Sequence, residues 1–255
     1  MLLVIDVGNT NTVLGVFDKD TLIVDWRIRT IRESTADEFN ILAKALFADK
    51  NFDMSTIKRT IISSVVPPSN SILDTFCRDY LNQEPIWINP DSVKKLMPIL
   101  YSNPAEVGAD RIVNAVAAFE RYHTSMIIID FGTATTFDAI SDKGEYLGGA
   151  ITPGVMISAE ALFQRASKLP RVEIFKAPAK VIGDNTIDSI KSGLIFGNAA
   201  LVDGMVRRMA KEMNSTPKVI ATGGLAVLIA DVSETIETVD NALTLEGLRI
   251  IADQA

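Results

Sequence analysis

Three aspartates stand where phosphoryl chemistry could use them: Asp6, Asp110 and Asp130. Two of them belong to near-copies, Ile5-Asp6-Val7-Gly8-Asn9-Thr10-Asn11-Thr12 and Ile129-Asp130-Phe131-Gly132-Thr133-Ala134-Thr135-Thr136. In each, an apolar run ends in a carboxylate, and a glycine then opens a turn of small hydroxyl and amide side chains. Glycine lets backbone N–H groups approach phosphate oxygens, and Asn9, Thr10, Asn11 and Thr12 can add hydrogen bonds. The aspartate, which would repel phosphate, is suited to a cation or its water shell. One such turn alone is an ordinary hairpin. Two, 130 − 6 = 124 residues apart in a chain of 255, indicate a duplicated domain and a pair of turns facing one another across a cleft.

The third aspartate lies in Glu106-Val107-Gly108-Ala109-Asp110-Arg111. Its plain reading is a helix N-cap at Asp110 followed by a solvated Arg111. Arginine at a helix start opposes the macrodipole, however, and an anionic ligand there would explain it. Asp110 could then accept a hydroxyl proton while Arg111 holds a carboxylate or phosphate. Asp184-Asn185-Thr186 reads as a helix cap, and Thr222-Gly223-Gly224 as a tight turn or a place where backbone passes over a nucleoside.

The elements that must position these groups follow from periodicity. Residues 2–7, 12–17 and 21–28 read as a three-strand meander. A helix is expected over 36–48, capped by Ser34 or Thr35, and a buried strand over 60–66, ended by Pro67-Pro68. A helix near 70–82, a short strand at 86–88 and a long loop over 89–107 come next. Asp110 opens a helix with Ile112, Val116 and Phe119 on its buried face. The meander pattern recurs over 126–151, with Asp142-Lys143-Gly144 as a turn, and the chain then becomes mainly helical. Apolar residues at 187, 190, 194, 201, 205 and 209 form one long helical stripe. A strand enters Gly223-Gly224, and a last helix covers about 242–252. The small residues Ser192, Gly193, Gly197, Ala199 and Ala200 permit close helix packing, in the core or across a dimer axis.

Composition narrows the alternatives. With 47% hydrophobic and 22% charged residues the chain is globular, and its net charge of −7 argues against a nucleic-acid surface. A single cysteine, Cys77, excludes an internal disulfide, and its apolar helical neighbours make it an inert buried thiol. With only His123 and no cysteine cluster, zinc is not expected. No apolar run approaches the roughly 18–20 residues of a spanning helix, and the opening Met1-Leu2-Leu3-Val4-Ile5-Asp6 has no basic leader. A cytoplasmic protein without membrane contact is therefore expected.

Taken together, these motifs closely resemble the type III pantothenate kinases, of the acetate and sugar kinase, heat-shock protein 70 and actin superfamily. The resemblance rests on Asp6 to Asn11, Ser63-Ser64-Val65-Val66-Pro67, Gly108 to Arg111, Asp130 to Thr136, Thr186 with Ser189 and Gly193, and Ala221 to Gly224. It implies an α/β fold of two similar ribonuclease H-like, actin/hexokinase-type domains, each a mixed sheet flanked by helices, over 1–118 and 119–255, with the active site in the cleft between them. It also implies transfer of the ATP γ-phosphoryl group to pantothenate, the first step of coenzyme A synthesis. Carried over, Asp6, Val7, Gly8, Asn9, Thr10, Asn11, Thr12 and Val13 hold the ATP phosphates, with Asp6 near Mg2+, and Thr133 contacts ATP. Asp110 is the general base; Gly108, Ala109, Asp110, Arg111 and Tyr101 line the pantothenate site. Asp130 binds a monovalent cation, K+ or NH4+, and Thr186 reaches pantothenate from the partner subunit of a homodimer. The alternatives are a non-catalytic regulatory accessory protein, or a superfamily kinase acting on another small hydroxyl or carboxyl substrate.

Overall fold

Leu3, Ile5 and Val7 share one face of the first strand and are each at most 1% exposed; Val4 on the other face is 0% exposed. A strand buried on both sides demands cover on both sides of its sheet. The computed structural model, which describes residues 1–254, supplies that cover twice. The chain divides into two compact units: Met1–Ala117 together with the helix from Leu243, and Ala118–Ala242.

In the first unit, β1 (Leu2–Val7), β2 (Asn11–Asp18) and β3 (Thr21–Arg29) form the expected meander. β4 (Arg59–Ser64) and β5 (Ile86–Trp87) add in parallel, giving the order β3-β2-β1-β4-β5. One face packs on α1 (Ala36–Asp49) and α2 (Pro67–Leu81) through Ala43, Phe47, Leu73 and Phe76. Trp26 stacks on Phe47 and Phe39 meets Phe76 edge-on, both at 4.9 Å between ring centroids. Such pairs add about 0.5–1.5 kcal/mol each beyond area burial. Thr35 caps α1 in a complete capping box with Glu38. Pro67-Pro68 end the strand region, as expected, but also begin α2, because proline's missing N–H costs nothing in a helix's first turn. Cys77 on α2 is buried, and desolvation pushes its thiol up to about 12, consistent with an inert thiol.

The stretch 89–107 is less irregular than its composition suggests: α3 (Pro90–Val93), capped by Asn89, and a 3₁₀ turn (Pro104–Glu106) lie within it. α4 (Ala109–Tyr122) then runs out of the first unit. Its buried surface is wider than the expected stripe, since Arg111 through Ala118 are all buried and Phe119 is only half-buried.

The second unit repeats the design. β6 (Met126–Phe131), β7 (Ala134–Ile140) and β8 (Tyr146–Pro153) form a meander, and β9 (Lys218–Thr222) and β10 (Thr238–Val239) add in parallel, in the order β10-β9-β6-β7-β8. Burial along β1 and β6 is identical position for position. The copies differ at the turn: Val7 pairs with Thr12 and Phe131 with Thr135, so the second hairpin is one residue shorter. Thr12 therefore corresponds to Thr135, not to the Thr136 that a constant offset suggests.

α5 (Val155–Arg165), α6 (Thr186–Met213) and α7 (Ala226–Ala230) complete this unit. The buried side of α6 carries Ile190, Leu194, Ile195, Ala199, Val202 and Val206, whereas Ile187 and Leu201 of the expected stripe are exposed. Asp203, also buried, accepts from Ser233 Oγ (2.6 Å), Thr235 Oγ1 (2.8 Å) and the Glu234 and Thr235 N–H groups (both 3.1 Å). Burial pushes its carboxyl up, but those donors outweigh burial and hold it below the usual carboxylate value.

The last helix, α8 (Leu243–Gln254), belongs to the first unit, although the sequence assigned 119–255 to one domain. It packs on β1 and β4, Leu245 lies over Gly15, and Thr244 Oγ1 donates to Asn114 Oδ1 at 2.7 Å. This is the cover that Val4 and Ile61 require. Among the described residues no helix is long and apolar enough to cross a membrane.

Candidate active site

The Asp6 turn is shaped by its own backbone. Gly8 N–H donates to Asn11 O at 3.0 Å, leaving Asn9 and Thr10 exposed at the tip. The segment that follows β3 braces it. Thr30 Oγ1 donates to Gly8 O (2.7 Å) and lies 2.9 Å from Thr12 Oγ1, Thr30 N–H donates to Thr10 O (3.0 Å), and Arg32 donates to Asn9 Oδ1 (3.1 Å). Thr30 and Arg32 went unnoticed in the sequence, because neither sits in a motif and only chain folding brings them to the turn. Behind Val7 and Thr12 lies a cavity of about 330 Å³, walled also by Ile28, Thr30, Phe39 and Ile72.

Asp110 occupies the second position of α4, not the cap, which falls to Gly108 with its carbonyl accepting from Ile112 N–H at 3.2 Å. Asp110 Oδ1 accepts from the Arg111 N–H at 2.8 Å. A Cβ at residue 108 would lie 2.6 Å from Asp110 Oδ1, so a larger residue there would push that carboxylate aside. Burial pushes the Asp110 carboxyl up against the opposing pull of the Arg111 N–H and guanidinium. Arg111, which the plain cap reading would leave in solvent, is only 8% exposed. A buried guanidinium beside a carboxylate of raised pKa is an uncommon arrangement for a surface cap and a common one for a reactive site.

One residue joins these two features within the first unit. Val65 N–H donates to Val7 O at 3.1 Å, and its Cγ1 would lie 3.6 Å from a Cβ at Gly108. The glycine turn and the Asp110-Arg111 pair thus border the same short segment. The sequence model for type III pantothenate kinase matches residues 2–208. The chain belongs to the type III pantothenate kinase family.

A type III pantothenate kinase of Desulforapulum autotrophicum is 86% identical over 254 residues, covering 100% of this chain and 97% of the relative. One of Desulfatibacillum aliphaticivorans is 65% identical over 254 residues, with 100% and 98% covered. Among solved structures, the inorganic polyphosphate/ATP-glucomannokinase of Arthrobacter sp. strain KM aligns with a TM-score of 0.54 at 18% identity, over 100% of this chain and 99% of that one. The last likeness bears on the fold alone and agrees with the actin/hexokinase-type design.

A pantothenate kinase that uses ATP implies a divalent metal such as Mg2+. Among the described residues no three His, Cys, Asp or Glu side chains gather to cage an ion. That suits Mg2+, which keeps its waters and binds through one or two carboxylates plus substrate phosphates. Asp6, half-buried at the end of β1, is the carboxylate beside the Gly8 turn.

In the second unit, Gly132 N–H donates to Ala134 O at 3.1 Å, and Thr133 is exposed at the tip. Asp130 ends β6 beside β9, paired with Thr222, and Gly223 follows with φ +93°. A Cβ on Gly223 would lie 2.5 Å from Asp130 Oδ1, which makes Gly223 part of the Asp130 setting. The sequence offers the glycine pair as a tight turn or a nucleoside contact and does not tie it to Asp130. Tyr101 is half-buried in the bend before the 3₁₀ turn. Thr186 begins α6 after the Asn185 cap and is exposed; it lines a second-unit cavity of about 440 Å³ with Leu169, Gly183, Asp184, Ser189 and Ile190.

Proposed function

We propose that the chain phosphorylates the primary hydroxyl of pantothenate with ATP, giving 4'-phosphopantothenate for coenzyme A synthesis. The observation that carries this reading is the Val65 junction, which puts a braced glycine turn and the Asp110-Arg111 pair beside one another. Asp110 accepts the hydroxyl proton of pantothenate. An alkyl hydroxyl loses its proton late in a loose transition state, so a carboxylate suffices as base. Arg111, buried and planar, holds the substrate carboxylate. The turn from Asp6 to Val13 grips the phosphates through backbone and side-chain donors, with Gly108 and Ala109 shaping the acceptor side and Tyr101 closing it. Asp6 would hold Mg2+, directly or through water, and the ion would supply charge neutralisation for the transferring group.

Thr133 contacts ATP, and Asp130 would hold K+ or NH4+, which would supply positive charge where the motifs carry few lysines. Thr186 completes the acceptor site from the partner subunit of a homodimer. Two features support the dimer. Gly193, Gly197 and Gly204 on α6 face open space, and large apolar side chains lie exposed nearby in the sequence, including Val181 (63%), Ile182 (87%) and Ile187 (47%). Apolar exposure of this kind marks an interface.

A coupled ADP-release assay tests the reading. Pantothenate alone should sustain turnover among a panel including acetate and glucose, and activity should require K+ or NH4+ over Na+. Preferred turnover of acetate or a sugar would overturn the substrate; equal rates in Na+ would remove Asp130 as the cation site.

A further inference from the structure

Of the hydroxyl residues on β4, two have evident structural partners. Thr60 Oγ1 donates to Gln83 Oε1 at 3.1 Å, and Ser64 Oγ accepts from Val66 N–H at 3.2 Å. Ser63 is different: it is 0% exposed, and its Oγ has no hydrogen-bond partner. A buried hydroxyl left unmade costs about 1–3 kcal/mol, and alanine would fill this strand position without that penalty.

Ser63 pairs in parallel register with Asp6. Paired residues on neighbouring strands project from the same face, with backbones roughly 4.8 Å apart. The second unit repeats the arrangement, since Thr222, 3% exposed, pairs with Asp130. Both halves thus set a buried hydroxyl residue directly beside the acidic strand end, where the preceding positions Ile61, Ile62, Ile220 and Ala221 are apolar.

We propose that Ser63 is a positioning residue for Asp6: its hydroxyl donates to one Asp6 carboxylate oxygen once Mg–ATP is bound, aiming the other at the metal or its water. This rests on the reading of Asp6 as the metal-side carboxylate. Groups that orient a metal ligand in this way typically contribute about 10–100-fold to metal affinity. The unmade bond in the free protein is the cost of holding the hydroxyl ready.

The test uses full-length wild type, Ser63→Ala and Ser63→Thr, with ATP binding measured by calorimetry without pantothenate, in EDTA and across a Mg2+ titration. Thermal unfolding of each free protein runs alongside. Ser63→Ala should keep or raise Tm, bind ATP in EDTA as wild type does, and need about 10–100-fold more Mg2+ for half-maximal tightening. Ser63→Thr, which mimics the second unit's Thr222, should restore the Mg2+ dependence. Wild-type Mg2+ dependence in Ser63→Ala overturns the proposal, as does a lowered Tm without a change in Mg2+ dependence. If Ser63→Ala does not fold, Ser63→Cys, close in size but a weak donor, decides: wild-type Mg2+ dependence overturns the proposal, and a raised Mg2+ requirement upholds it. Failure of wild type to bind Mg–ATP would instead sink the underlying kinase reading, so the two failures are distinguishable.

Discussion

Asp110 carries opposing demands that a pH profile and a stability measurement can separate. As a base it must be ionised, yet burial favours its neutral form. kcat/KM should therefore fall on the acid side through a pKa above the ordinary carboxylate range. The stability linkage has the opposite sense. A carboxyl raised in the folded state stabilises fully below its unfolded pKa, and that contribution is lost as pH rises through the raised value. At neutral pH the charge is thus a burden on the fold. Asp110→Asn should lower turnover by about 10²–10⁴-fold while raising Tm at pH 7. A variant with near-normal rate would remove Asp110 as base; one with lowered Tm would contradict the burial argument. The companion Arg111 shows what residue type leaves open: spacing allowed a solvated first-turn arginine or one that holds an anion, and the packing of α4 buried it.

At the scale of elements, the turns are held by backbone approaches that leave little room. Gly223 joins β9 to α7 at φ +93°, and a Cβ there would also lie 2.8 Å from the Phe131 backbone. Gly224, its neighbour, has nothing within 4 Å of the same point. Gly223→Ala should lose about 1–3 kcal/mol from backbone strain, with further loss from displacing Asp130, while Gly224→Ala should stay near wild type. Denaturant unfolding of the two variants checks this, and equal stabilities would refute the close-approach account. The two meanders and the strands β4, β5 and β9 were legible from their apolar patterning, and the helix caps at Thr35 and Asn185 and the Gly144 turn from hydrogen bonds within a few residues; the two-residue β10 carried no such signal. The phase of the α6 stripe was not: Ile187 and Leu201 have the right spacing, but the sheet meets the helix on a neighbouring arc.

For the whole molecule, the exposed side of α6 is the test of assembly. Under the proposed homodimer, Gly193, Gly197, Ala200, Leu201 and Gly204 form the face against which a second copy packs. Leu201→Glu should convert a dimer to a monomer in sedimentation velocity and abolish pantothenate turnover, while ATP binding persists. A variant that remains dimeric and active would exclude this face. The duplication also has meaning at this scale: one mixed-sheet plan, used twice, presents two acidic strand ends with different turn lengths, a basis for the different ligands proposed at Asp6 and Asp130.

What the sequence determined by itself was the repeat, the strand periodicity and the chemistry of its motifs, all of which depend on residue type and short spacing. Only the tertiary structure decided that α8 returns to the first sheet, that Thr30 braces the Gly8 turn, that Arg111 is buried and that Ser63 faces the same side as Asp6. Each of these joins residues distant in the chain or depends on which face a neighbour covers. Local propensity carries no such information, because it comes from packing.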